Sequence, residues 1–211
     1  MNRLVVPFGL ATLVLVVRRD LIVRVVRWLD RRGGITSRRG EDAYAAASGL
    51  FAGIHHRVVA DAATRGALSI VDIGAGPGDV LEELRRRDRG ASLTGVEPSE
   101  RMRSIAAARG IAEVDGRAEH LPLADDSVDL VLSTLSSHHW DDSAAAFAEI
   151  ARVLRPGGEA RIYDVRFAGF GPDEVRRIAR DAGLEPASVR HEVLDERLFG
   201  LRPYSLITIT S

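Results

Sequence analysis

The sequence has no cysteine. That excludes disulfides, zinc–thiolate sites, iron–sulfur clusters and a thiol nucleophile, and it leaves the redox compartment open. Lysine is also absent, since all 29 basic residues are arginine. A lysine-dependent mechanism and a phosphate-binding Gly-Lys-Ser/Thr loop are therefore excluded. No apolar run reaches the ~20 residues that a membrane-spanning helix requires. What remains is ordinary for a globular protein: 45% hydrophobic and 28% charged residues in a chain of 211. This is enough for one sizeable core with an extension.

The net charge of −1 conceals an asymmetry. Residues 1–40 carry nine arginines against Asp20 and Asp30, and the rest of the chain is acidic. Residues 4–17 form an apolar run bounded by Arg3 and by Arg18 and Arg19, with no small-x-small cleavage site after it. In the stretch that follows, Asp20, Arg24, Arg27 and Arg31 form one polar stripe opposite Leu21, Ile22, Val25, Val26, Trp28 and Leu29. Arginines facing Trp and aliphatics suit a helix lying at a membrane surface, and they equally suit a helix packed on protein. The expected organisation is an extension over 1–34, with residues 4–32 as the membrane contact, and a second domain over 41–211. The arginine-rich side would stay cytoplasmic, at the inner face of the membrane.

From residue 41 helices and strands alternate. Helices are expected over 42–63, 78–88, 99–110, 141–158 and 171–182. Strands are expected over 68–74, 92–97, 111–115, 127–134, 159–165, 187–194 and 204–210. The repeated strand–helix–strand order implies an α/β fold, a doubly wound and mostly parallel seven-stranded sheet. No helix separates the last two strands, so one of them must run antiparallel.

Ligands of such sheets bind beyond the carboxyl ends of the strands. The first strand leads into Asp72-Ile73-Gly74-Ala75-Gly76-Pro77-Gly78-Asp79. Glycines at 74, 76 and 78 allow a tight turn and a close ligand. A dinucleotide fingerprint needs a small residue at 79, where Asp79 would face a pyrophosphate, so the turn suits a nucleoside without phosphates. Asp72 can accept from loop amides or from an ammonium group. Glu97, about 20 residues past the glycines at the end of the second strand, can take both hydroxyls of a ribose.

Four segments, IVDIGAGPGD (70–79), GVEPSERM (95–102), GRAEHLPLADDSVDLVLS (116–133) and EIARVLRPGG (149–158), resemble in order and spacing the class I S-adenosylmethionine-dependent methyltransferases, in particular the small-molecule group related to the ubiquinone/menaquinone enzymes. The resemblance implies a Rossmann-like methyltransferase fold with S-adenosyl-L-methionine as cofactor. Gly74, Ala75, Gly76 and Gly78 would pass beneath its methionine part. Glu97 would hold the ribose, and Pro98 and Met102 would pack beside the adenine. Ala118 and Glu119 would lie at the adenine edge, and Ser133 would border the methyl-donor end. The family usually has Asp where this chain has Arg117, so the adenine amine falls to Asp115, Glu119 or the backbone.

Ser136-Ser137-His138-His139-Trp140 follows the fourth strand, close to where the methyl group would sit. His138 or His139 is a candidate general base, or else a scaffold for the loop. Adjacent histidines diverge and have no acid at ligand spacing, so no metal site is expected. His55 and His56 lie on the helix before the first strand, where one must point inward. Arg85, Arg86, Arg87 and Arg89 read as a solvated helix end, and nucleic acid is not an expected partner. The acceptor is expected to be small and lipophilic, capped by residues 1–63, which include Tyr44 and Phe51. The alternative is a non-catalytic relative of the fold, acting as a membrane-associated binding module.

Overall fold

A computed structural model of the chain describes residues 52–63, 66–87, 90–166, 169–196 and 202–211. The expectations on residues 4–32, on the linker after them, on Tyr44 and on Phe51 lie outside the described residues. Seven strands form one sheet in the order β3-β2-β1-β4-β5-β7-β6. In chain order the elements are α1 (Ala52–Ala63), β1 (Ser69–Ile73), α2 (Asp79–Arg87), β2 (Ser92–Val96), α3 (Glu100–Ala108) and β3 (Glu113–Val114). They continue with β4 (Val128–Thr134), α4 (Ser143–Val153), β5 (Leu154–Val165), α5 (Pro172–Asp181), β6 (Val189–Val193) and β7 (Tyr204–Thr210). Strands β1 to β5 pair in parallel, whereas β7 runs antiparallel between β5 and β6. The α/β expectation and the antiparallel last strand therefore both hold.

The sheet is buried on both faces. On one side Phe147, Ile150 and Val153 of α4 and Val175 and Ile178 of α5 cover Val71, Val131, Ile162 and Ile207. On the other, Ile54 and Val58 of α1, Leu81 and Leu84 of α2 and Ala106 of α3 cover Ile70, Leu130, Leu132 and Leu206. Alternate side chains of one strand thus enter different layers, and β1 and β4 read as continuous apolar runs. Asp61 clamps α1 to β5, because its Oδ2 accepts from Tyr163 Oη at 2.9 Å and pairs with Arg161 Nη1 at 3.2 Å.

Two boundaries differ from expectation. The helix expected over 141–158 ends at Val153, and the chain enters β5 at once with Leu154 at φ −68°, ψ 132°. Arg155 precedes Pro156, and the proline ring disfavours the helical conformation there, so the break comes before the Pro-Gly-Gly and not at it. The strand expected over 111–115 shortens to Glu113–Val114, at the edge of the sheet. Elsewhere the local signals hold. Ser99 Oγ caps α3 by accepting from Met102 N at 3.2 Å, and Gly110 takes φ 72° just past the end of that helix. Among the described residues no helix is long and apolar enough to cross a membrane.

Candidate active site

The turn after β1 is held from beneath by β2. Gly74 N donates to Val96 O at 2.8 Å, and Gly76 N donates to Glu97 Oε2 at 3.0 Å. Gly74, Gly76 and Gly78 all have positive φ. At Gly74 the lack of a side chain is also a packing requirement, since a Cβ there would lie 2.5 Å from Ser136 Cβ and Oγ. Asp79 does not present a bare charge. Arg109 Nη1 donates to its Oδ1 at 2.5 Å and to Pro77 O at 3.1 Å, tying α3 to the turn.

Glu97 is 8% exposed at the end of β2. Its Oε1 accepts from Ser99 N at 2.9 Å and its Oε2 from Gly76 N, so the carboxylate is oriented by backbone on both sides. A carboxylate has about four acceptor sites, and this anchoring is compatible with receiving a diol. Asp72 is 2% exposed, and its Oδ1 has no hydrogen-bond partner. Burial, and next the charge of Glu97, push its carboxyl up to about 7. Pro98 is exposed beside Glu97, and Met102 is buried on the first turn of α3.

Ala118 is buried, whereas Arg117 points outward and pairs with Asp141 at 3.6 Å. Glu119 Oε1 accepts from Asp141 N at 2.7 Å and Asp142 N at 3.3 Å, just before α4. Asp115 is largely exposed and pairs with Arg103 at 2.9 Å. Of the groups considered for the adenine amine, both carboxylates thus have other partners. Ser133, fully buried at the end of β4, shares a 2.7 Å hydrogen bond with Ser136 Oγ, which donates to Ile73 O at 3.0 Å.

Leu135 follows β4 in the left-handed region, at φ 56°. That strained residue swings the chain off the strand. Ser136 is thereby set against Gly74, and Ser137–His139 form a 3₁₀ turn over the end of β5. The turn ends on Asp164, which takes Ser137 Oγ and His138 N on Oδ2 and His138 Nδ1 at 2.9 Å on Oδ1. Burial opposes ionisation of Asp164. The charge of His138 and hydrogen bonds from His138, Ser137 and Val165 outweigh it and hold the carboxyl below the usual range. His139 is exposed, with its ring centroid 4.0 Å from that of His138. Trp140 is buried edge-on against Phe147, a core contact. His55 is the inward member of its pair. Burial lowers its proton affinity, with Asp79 opposing and His56 reinforcing.

Two acids escaped the sequence reading. Asp164 stands next to last in β5, and a lone carboxylate in the apolar run ARIYDV was the available signal. Glu113 sits on β3 with both carboxylate oxygens buried and unpartnered. Burial, then Glu97, then Asp72 push it up to about 8, with Arg103 opposing. Nothing in the sequence marks it, because it matters only through the register that sets Asp72, Gly95 and Glu113 in one row across β1, β2 and β3.

Residues 71–162, from the middle of β1 to the middle of β5, match the family model described as a methyltransferase domain. The chain is 29% identical over 153 residues to an uncharacterised methyltransferase of Bacillus subtilis, covering 70% of this chain and 84% of that protein. It is 42% identical over 113 residues to the ubiquinone/menaquinone biosynthesis C-methyltransferase of Rubrivivax gelatinosus, covering 50% of this chain and 44% of the relative. Residues 71–162 thus carry a methyltransferase domain similar to that of the class I S-adenosylmethionine-dependent enzymes. Its fold aligns with that of the plantazolicin methyltransferase BamL, solved in complex with a triazolic desmethyl-plantazolicin analogue and SAH. The TM-score is 0.69 at 15% identity, over 90% of this chain and 98% of that one. Apart from the Bacillus protein, the chain spans about half the length of the curated relatives it matches first. The methyltransferase's cofactor is S-adenosyl-L-methionine. The residues present fit it: a glycine turn without a phosphate clamp, an oriented carboxylate at 97, and an orphaned buried oxygen on Asp72.

Proposed function

We propose that the chain methylates a small, lipophilic acceptor that it meets at a membrane surface. When bound, S-adenosylmethionine supplies a methyl group on a cationic sulfur. Gly74, Ala75, Gly76 and Gly78 would form the floor beneath it, and Glu97 would orient the ribose. Asp72 would receive the ammonium, an assignment that rests on its unpartnered Oδ1. Pro98, Met102, Ala118 and Glu119 would surround the base, and Ser133 would border the sulfur end. Displacement at a sulfonium depends largely on alignment, and a rigid turn pinned to β2 serves that purpose.

The observation that carries this reading is the Gly76–Glu97 contact, which joins the glycine turn to the acid at the end of the second strand. Lipophilicity of the acceptor is supported by the apolar run over 4–17 and the arginine-striped stretch after it. The related Rubrivivax protein, named for ubiquinone and menaquinone biosynthesis, points the same way. Calorimetry with S-adenosylhomocysteine tests the cofactor site. Glu97→Ala should weaken binding at least about tenfold, the loss of one or two charge-assisted hydrogen bonds. Unchanged affinity overturns the assignment. Incubating the full chain with lipid and quinone extracts and a labelled methyl donor tests the acceptor class, which fails if label enters only water-soluble products.

A further inference from the structure

We propose that Glu113 sets a specificity of the glycine turn, letting the chain tell the cationic methyl donor from its neutral product. This rests on the methyl-transfer reading above. Glu113 lies on β3, away from the turn itself. Strand register places it in one row with Gly95 and Asp72. Its Cγ fills the space that a side chain on Gly95 would need, so it reaches over β2 towards Asp72. A Cβ on Gly95 would also lie 3.0 Å from Ala75 Cβ, so the turn closes that space from above. Neither carboxylate oxygen of Glu113 has a partner. Asp72, 2% exposed, ends the row with its Oδ1 equally unpartnered.

Two buried carboxyls that face one another with no donor between them do not both stay ionised. Together they hold a proton across the neutral range, in line with values pushed up to about 7 for Asp72 and to about 8 for Glu113. Burial opposes the ionisation of both, and Glu97 at the end of β2 adds to it. Arg103 of α3 favours ionisation of Glu113, but the same guanidinium is also bonded to Asp115. Arg109 of α3 and Asp79 of α2 are engaged with each other at the turn. The proton thus belongs to the pair, and a modest change of charge nearby decides whether it stays.

S-adenosylmethionine differs from S-adenosylhomocysteine by one methyl group and one positive charge on sulfur. Ammonium, carboxylate and ribose are common to both, so Glu97 on a ribose cannot separate them. A cation over the turn favours loss of the proton beneath it, since buried charges act on one another with little screening by water. Linkage makes the effect mutual: an ionised pair holds the cationic ligand more tightly than the neutral one. Transfer of the methyl group removes the charge from sulfur. The pair then takes back a proton from solvent, and the product loses the advantage that its precursor had.

Calorimetry on the full chain, without acceptor, compares the two ligands from about pH 6 to about pH 8.5. In the parent chain the affinity for S-adenosylmethionine relative to S-adenosylhomocysteine should rise on the order of tenfold over that range, as for a proton held about tenfold less tightly in the first complex. Paired buffers of different ionisation enthalpy should show more protons released by S-adenosylmethionine. Glu113→Gln keeps the size and loses the titration, so the rise should shrink to less than about threefold, and Glu113→Asp should retain part of it. Infrared difference spectra give a readout independent of affinity. The band of a protonated carboxyl should be stronger in the S-adenosylhomocysteine complex than in the S-adenosylmethionine complex, and weaker in Glu113→Gln. The same rise in Glu113→Gln as in the parent chain, or equal carboxyl bands in the two complexes, overturns the proposal. Binding of both ligands at a ratio that does not change with pH overturns it alone, whereas a parent chain that binds neither ligand overturns the methyl-transfer reading and this proposal with it.

Discussion

Glu113 leans across Gly95, with its Cγ 2.5 Å from the point where a Cβ on that glycine would stand. The two are paired in adjacent strands, and Asp72 is the next residue along the same row. A missing side chain in β2 thus makes room for a carboxyl from β3 beneath the glycine turn. The same imagined Cβ would lie 3.0 Å from Ala75 Cβ, so the space is enclosed from above as well.

Gly95→Ala should therefore destabilise the fold by about 1–3 kcal/mol, the usual cost of overpacking. Adding Glu113→Ala should recover part of the loss, because it removes the atom that is struck. Urea denaturation of the single and double variants measures both effects. Equal stability of Gly95→Ala and the parent chain would show that the side chain of Glu113 moves aside freely.

Glu113 also gives stability a pH dependence. Its folded carboxyl is pushed up to about 8, above its ordinary value of 4.5, so the folded chain binds the proton more tightly than the unfolded chain. Its contribution is harmless below pH 4.5, and stability is lost progressively as pH rises from there through 8. Glu113→Gln should remove this component and gain on the order of 2 kcal/mol at pH 9, with little change at pH 5. Thermal melts of the two proteins across that range should diverge with rising pH, and parallel curves would refute the expectation.

Gly74→Ala meets two obstacles, a φ of 70° and a Cβ placed 2.5 Å from Ser136. The turn must then move away from the 136–139 segment. Loss of S-adenosylhomocysteine binding by at least about tenfold is expected, with destabilisation of about 1–3 kcal/mol. Calorimetry beside a melting curve separates the two effects. Retained affinity would mean that the contact with Ser136 does not shape the cofactor floor.

Deleting residues 1–34 should abolish sedimentation with anionic vesicles and lower turnover of lipophilic acceptors, with affinity for S-adenosylhomocysteine preserved. The reason is the location of charge, since nine arginines fall within the first 40 residues. A truncated chain that still binds vesicles and turns over the same acceptors equally well would remove the case for membrane delivery.

The glycine turn and the acid proposed to hold the cofactor could be read along the chain because their signals are local. Gly74, Gly76 and Gly78 announce a turn, and Glu97 ends an apolar strand at the expected distance from them. The acceptor half could not. His138 was visible as a candidate, but its holder Asp164 lies 26 residues away on the next strand. Nor could the sequence show that Glu119 serves the backbone before α4, or that Arg109 neutralises Asp79.

The sequence by itself determined the alternation of helices and strands, the glycine turn and the acid at the end of the second strand, because each depends on residues close together in the chain or on a periodic pattern. Tertiary structure alone decided which side chains face one another: Asp72 and Glu113 across Gly95, and Asp164 and His138. The physical reason is register. Strand pairing sets residues from distant segments side by side, and burial then turns that adjacency into chemistry by removing the water that would otherwise screen their charges.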